Sequence, residues 1–178
     1  EYLRSKNVMV YRGRAHFLSR HELSIGQQRH ISSDKFLIAT GSELRIPSIP
    51  GLQNIDYLTV KNVFELNRPP RSLAIIGAGT SGIELAELFA ILGTKVYLFE
   101  QSSRIASRFA PEVSGELTRF FAKFYGVSIL PNTQVVAAAN DGPAVRLKYL
   151  RGGAENSLSV ERVLIATGAA PNTDIGLI

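Results

Sequence analysis

The segment Gly77-Ala78-Gly79-Thr80-Ser81-Gly82 has three glycines at a spacing that lets main chain wrap an anion. Gly77 permits a tight turn, Gly79 removes a side chain where a phosphate must approach, and Gly82 allows a helix and a strand to touch. Glu100, roughly 20 residues beyond Gly82, is a carboxylate suited to accept hydrogen bonds from ribose hydroxyls. The spacing of the glycines is a weak signal on its own. Its setting makes it strong, because it requires a strand before it, a helix after it and a second strand ending at the acid.

Those elements are all legible. Ser72–Ile76 (SLAII) is a continuous apolar run, the pattern of a parallel strand covered on both faces. Ser81–Leu92 carries Ile83, Leu85, Ala86, Leu88, Phe89 and Leu92 and predicts a mostly apolar helix closed by Gly93. Lys95–Phe99 (KVYLF) predicts the next strand, with Glu100 at its carboxyl end. This βαβ unit is expected to bind a dinucleotide: the helix N-terminus offers unpaired N–H groups and partial positive charge to a pyrophosphate. Glu100 favours NAD over NADP, since a 2′-phosphate would face a carboxylate, although Arg104 and Arg108 in the following loop soften that preference. Glu84 reads equally as a carboxylate answering the helix dipole or as a site residue.

Around this unit, Val8–Phe17 predicts a strand interrupted by Gly13, with Glu22–Ile25 as a short partner. Phe36–Ala39 (FLIA) predicts a short buried strand, and Pro47, Pro50 and Gly51 read as a connector. Thr59–Leu66 predicts a short helix capped by Thr59 and ended by Pro69-Pro70. Pro111 opens a helix running to Tyr125, with Phe120, Phe121 and Phe124 at core spacing, and Val127–Leu130 predicts a third parallel strand. Val135–Ala139, Val145–Leu150 and Ser157–Val160, separated by turn residues, predict a small antiparallel appendage, and Arg162–Ala166 a final buried strand. One repeat crosses these boundaries: Phe36–Gly41 (FLIATG) and Val163–Gly168 (VLIATG) are nearly the same hexapeptide. Two apolar strands that stop at glycines suggest two nucleotide-binding layers.

Composition narrows the chemistry. At 178 residues and 45% hydrophobic the chain can bury a core and accommodate one domain plus part of another. It has no cysteine, hence no disulfide, thiolate metal site or thiol nucleophile. His16, His21 and His30 lack metal-site spacing, so no metal is expected. The net charge of +5 is spread without an aromatic-interleaved basic stripe, which argues against nucleic acid and leaves dinucleotides as the small-molecule partners. No run is long and apolar enough to span a bilayer, and the polar first residues argue against a secretory signal, so a cytoplasmic protein is expected.

The motifs together resemble the pyridine nucleotide-disulfide oxidoreductases, whose members include dihydrolipoamide dehydrogenase, glutathione reductase and mercuric reductase. The carriers are Gly13-Arg14-Ala15, Ala39-Thr40-Gly41-Ser42 with Pro47, Pro50 and Gly51, the stretch Gly77–Ala86, and Ala166-Thr167-Gly168 with Pro171-Asn172-Thr173. The resemblance implies an α/β fold: a Rossmann-like three-layer dinucleotide-binding domain with a small antiparallel appendage, plus partial FAD-domain strands. It implies a partial FAD domain and connector over 1–59, an NAD(P) domain over 60–166, and a return to the FAD domain over 167–178.

In such enzymes NAD(P)H reduces FAD, and the flavin passes electrons to a cysteine pair. By resemblance, Gly77, Ala78, Gly79, Thr80, Ser81 and Gly82 bind the pyrophosphate and Glu100 the ribose, Val135 packs near the adenine, and Gly168 approaches the nicotinamide. Ala15, Thr40, Gly41 and Ser42 match positions that contact FAD. Glu84 matches a carboxylate that supports the nicotinamide and flavin region through a lysine, which tips its two readings toward function. The family's amino-terminal flavin loop, cysteine pair, Gly-Asp motif and dimer domain are missing, so the chain is expected to be a central fragment, inactive alone, of a homodimer. Glu100-Gln101 stands where NADP users place arginines, and Ala169 replaces an arginine common after the last Thr-Gly. At Thr80, where some relatives carry a bulky residue shielding the flavin, no gate is expected. Alternatives are a flavoprotein of the same architecture without a disulfide, such as a soluble transhydrogenase, NADH oxidase or ferredoxin reductase type, and a non-catalytic redox sensor.

Overall fold

Residues 2–26 and 29–176 are described in the computed structural model. A short helix α1 (Tyr2–Ser5) is followed by β1 (Ala15–Ser19), β2 (Glu22–Ile25) and β3 (Arg29–Ser32), an antiparallel sheet in the order β1-β2-β3. The strand expected over Val8–Phe17 begins only at Ala15, because residues 8–14 have no ladder partner among the described residues. Phe36–Ala39 is not a strand, and Leu37 is 95% exposed. An apolar run becomes a strand only where neighbours take up its N–H and C=O groups, and none lies beside it among the described residues. Phe36 instead packs edge-on against Phe17 at 5.0 Å. β4 (Ser42–Leu44) pairs in a two-stranded ribbon with Ala169–Pro171.

The described residues divide into two compact units, one ending at Glu43 and resuming at Ala169, the other running from Leu44 to Gly168. In the second unit β5 (Tyr57–Thr59) pairs in parallel with β12 (Arg162–Ile165) and so belongs to the larger sheet. This pairing also replaces the helix expected over Thr59–Leu66. Thr59 ends a strand, its N–H and hydroxyl both donate to Asn62 Oδ1 at 2.7 and 3.1 Å, and only Val63–Glu65 coil into a 3-10 turn.

Within this unit β6 (Ser72–Ile76), α2 (Thr80–Ile91) and β7 (Lys95–Phe99) form the βαβ core. They are followed by α3 (Pro111–Phe120) and β8 (Ser128–Leu130). The parallel sheet has the order β5-β12-β6-β7-β8. β9 (Thr133–Asp141), β10 (Ala144–Arg151) and β11 (Ala154–Val160) form the antiparallel appendage. The appendage is the third layer. Leu73, Ile75, Val96, Leu98 and Leu164 point to the face shared with α2 and α3. Ala74, Ile76, Phe99, Val163 and Ile165 point to the face shared with Val135, Val145 and Leu147 of the appendage. Both faces are covered, which is why these strands are apolar without alternation. Fully burying each such valine, leucine, isoleucine or phenylalanine side chain stabilises the fold by about 1.5–3 kcal/mol.

α3 runs on into a π-helical turn over Phe121–Tyr125. The expected stripe is divided: Phe121 continues the buried side of Ser114 and Leu117, while Phe120 and Phe124, four residues apart on the neighbouring side, are 43% and 60% exposed.

Candidate dinucleotide site

The chain leaves β6 and moves through α2 to β7 and β8 on one side, then returns to the other side of β6 as β12. Strand order therefore reverses between β6 and β12, and in open parallel sheets the crevice at the carboxyl end of such a switch is where ligands bind. Gly77 follows β6, Glu100 follows β7 and Ala166 follows β12, so all three lie at that edge.

The three glycines of the loop differ in what surrounds them. Gly77 has φ +105, and a Cβ there would meet the Ala166 carbonyl oxygen at 2.5 Å. A Cβ on Gly82 would run into the Gly77 carbonyl oxygen. Both positions are filled by the protein's own main chain. Gly79 has φ −75, and a Cβ there would meet nothing within 4 Å. It is the helix N-cap residue and no side chain caps the helix, so the first N–H groups of α2 are left for another acceptor. Thr80 and Ser81 are exposed beside it, and Ala78 is buried.

Glu100 is half-buried, and its two carboxylate oxygens accept from the backbone N–H groups of Ala78 at 2.9 Å and Ser102 at 2.8 Å. It thereby ties the glycine loop to the end of β7, a role that sequence reasoning missed because nothing local pairs residue 78 with residue 100. Carboxylate oxygens have about four lone-pair sites, so acceptor capacity remains for a ligand hydroxyl. The Ala106 N–H donates to the Ala78 carbonyl at 2.9 Å, so the loop after β7 also holds the glycine turn. Arg104, in that loop, turns back to donate to the Ser107 carbonyl at 2.8 Å, and Arg108 is exposed.

Glu84 lies in the second turn of α2, beyond the reach of a first-turn carboxylate, and is exposed with no ion pair among the described residues. The Val135 side chain is 5% exposed and committed to the core beneath the appendage. Gly168 has φ +97 and open space around it. In the first unit, Thr40 donates its hydroxyl proton to the Asn172 carbonyl at 2.6 Å, while Ala15, Gly41 and Ser42 are exposed.

Shifted ionisations lie away from this edge. Glu161 is held below the ordinary carboxylate range by the Arg71 N–H, with Arg68 and the Arg71 side chain adding to it. Asp141 is lowered by hydrogen bonds from Ser159 and Arg146. Tyr125 is raised, chiefly by its hydrogen bond to Glu87. Among the described residues no three His, Cys, Asp or Glu side chains are grouped to hold a metal, and no helix is long and apolar enough to cross a membrane.

Residues 1–176 match the family described as "Pyridine nucleotide-disulphide oxidoreductase". The chain belongs to this family. It is 33% identical over 165 residues to mercuric reductase of Staphylococcus aureus, covering 93% of this chain and 30% of that protein. It is 28% identical over 173 residues to glutathione reductase of Nostoc sp., covering 97% of this chain and 37% of that protein. Among solved structures, the HOCl-induced flavoprotein disulfide reductase RclA of Escherichia coli, as its Cu(II) complex, superposes with a TM-score of 0.75 at 28% identity. That superposition covers 98% of this chain and 41% of the RclA chain. The chain thus spans less than half the length of these relatives. Its α/β architecture, with a five-stranded parallel sheet and antiparallel sheets, is the one the resemblance implied.

Proposed function

We propose that the second unit binds NAD(H) at the glycine loop, and that the whole protein is an FAD-dependent oxidoreductase. The observation that carries this reading is the division of labour among the glycines: two are occupied by the protein's own backbone, and Gly79 faces open space at an uncapped helix end. The pyrophosphate would lie against the N–H groups that open α2, where the helix dipole favours negative charge. Glu100 would accept from the ribose hydroxyls with the lone pairs left by Ala78 and Ser102. A 2′-phosphate would face that carboxylate, and Arg104 is turned toward its own loop, so NAD is the better fit than NADP. Gly168 would approach the nicotinamide, and Glu84, exposed on α2, would be free to pair with a cation near it. Ala15, Thr40, Gly41 and Ser42 of the first unit would face FAD. When bound, these cofactors supply hydride and electron-pair transfer toward a disulfide-type acceptor. The residues present here bind and orient, since they include no cysteine to serve as that acceptor's partner.

Calorimetric titration of the chain and of Gly79→Ala with NADH and NADPH tests this reading. The unsubstituted chain should bind NADH in roughly the micromolar to millimolar range and NADPH more weakly. Gly79→Ala should keep the melting midpoint, because its methyl group meets nothing, and weaken NADH by about ten-fold or more. Tighter NADPH than NADH would overturn the role given to Glu100. Unchanged NADH binding by Gly79→Ala would overturn the site.

A further inference from the structure

The two Ala-Thr-Gly segments share more than sequence. In the second unit the Thr167 hydroxyl donates to the Arg45 carbonyl at 2.5 Å, and the Arg45 N–H donates to the Gly168 carbonyl at 2.9 Å. In the first unit the Thr40 hydroxyl donates to the Asn172 carbonyl at 2.6 Å, and the Asn172 N–H donates to the Gly41 carbonyl at 2.9 Å. Arg45 lies four residues after Gly41, and Asn172 four residues after Gly168. One bonding pattern is therefore made twice, with each Thr-Gly gripping the main chain that follows the other.

Neither threonine is buried. An exposed hydroxyl can be satisfied by water, so the stability of the fold does not demand this pairing. What the pairing does fix is direction. The hydroxyl before the glycine and the glycine's own carbonyl are held by one partner residue, which sets the direction of the backbone at Gly41 and Gly168. These are two glycines at φ +76 and +97 with no Cβ to restrict them.

We propose that Thr167 is a positioning residue. Its hydroxyl, with the Arg45 main chain, aims the Gly168 backbone at the nicotinamide end of the dinucleotide, and Thr40, with the Asn172 main chain, fixes the direction of the Gly41 backbone in the first unit. The proposal rests on the NAD(H) reading of the second unit. A hydroxyl has one proton to donate. With that proton given to Arg45, Thr167 acts on a ligand through backbone direction.

The test compares Thr167→Val, which keeps shape and removes the hydroxyl, with Thr167→Ser, which keeps the hydroxyl. Each is titrated with NADH and with ADP-ribose, which lacks the nicotinamide, and its melting midpoint is recorded. Thr167→Val should weaken NADH about five-fold, the scale of one ordinary hydrogen bond, and leave ADP-ribose unchanged. Thr167→Ser should restore NADH binding. Thr167→Ala replaces the valine variant should the latter not fold. A hydroxyl-free variant that binds NADH as tightly as the unsubstituted chain overturns the proposal. Equal loss of NADH and ADP-ribose also overturns it, since that is the mark of a general structural role. An unsubstituted chain that binds neither compound overturns the NAD(H) reading itself and this role with it.

Discussion

Residues 34–41 and 161–168 share one pattern: an acid, a base, four apolar residues, threonine and glycine. Their structures differ at almost every position. Leu164 is 0% exposed at the centre of a parallel sheet, paired with Leu58 on one side and Ile75 on the other. Leu37, its counterpart, is 95% exposed and lies in no strand. Glu161 binds Arg68 and the Arg71 N–H and pins β12 beside β6, whereas Asp34 has no ion pair among the described residues. Only the Thr-Gly ends behave alike. Strand propensity is thus a capacity that neighbours realise: two ladders and two covered faces make one copy a core strand, while the other, with no ladder among the described residues, lies in no strand.

The largest expected effect is at the buried copy. Leu164→Ala should cost about 2–5 kcal/mol in denaturant unfolding through lost burial and a cavity. A loss below about 1 kcal/mol would mean that burial does not distinguish the two segments. Next comes the acid before the strand. Glu161→Gln should cost on the order of 1–2 kcal/mol at neutral pH, the scale of hydrogen bonds to a charged group. Because the folded carboxyl titrates below its ordinary value of 4.5, its stabilisation is complete above that pH. It is lost as pH falls through the lowered folded value. Melting curves of the unsubstituted chain and of Glu161→Gln should therefore converge in acid, and a gap that stays constant with pH would reject this origin. Smallest is the exposed copy: Leu37→Ala should change unfolding free energy by no more than about 0.5 kcal/mol. A larger change would show that Leu37 is buried in solution.

Much of the site was legible. The βαβ unit rests on contiguous patterns, SLAII, the glycine loop, an apolar helix and KVYLF, in which each residue's local preference agrees with its final place. Misreadings fell where the deciding partner is distant. Thr59 looked like a helix cap until β12 drew it into the sheet, and Phe120 and Phe124 looked like core, whereas the side of the helix that packs inward runs through Ser114, Leu117 and Phe121.

The sequence by itself determined that this chain carries a glycine turn between a buried strand and an apolar helix, with an acid at the end of the next strand. Such features depend on periodicity and on the absence of a side chain, and both are written in neighbouring residues. The tertiary structure alone decided which hexapeptide is a strand, that Glu100 grips Ala78, and that each Thr-Gly end grips the main chain following the other. A hydrogen bond needs a partner at about 3 Å, and for these groups the partner is supplied by chain that is remote until the fold brings it near.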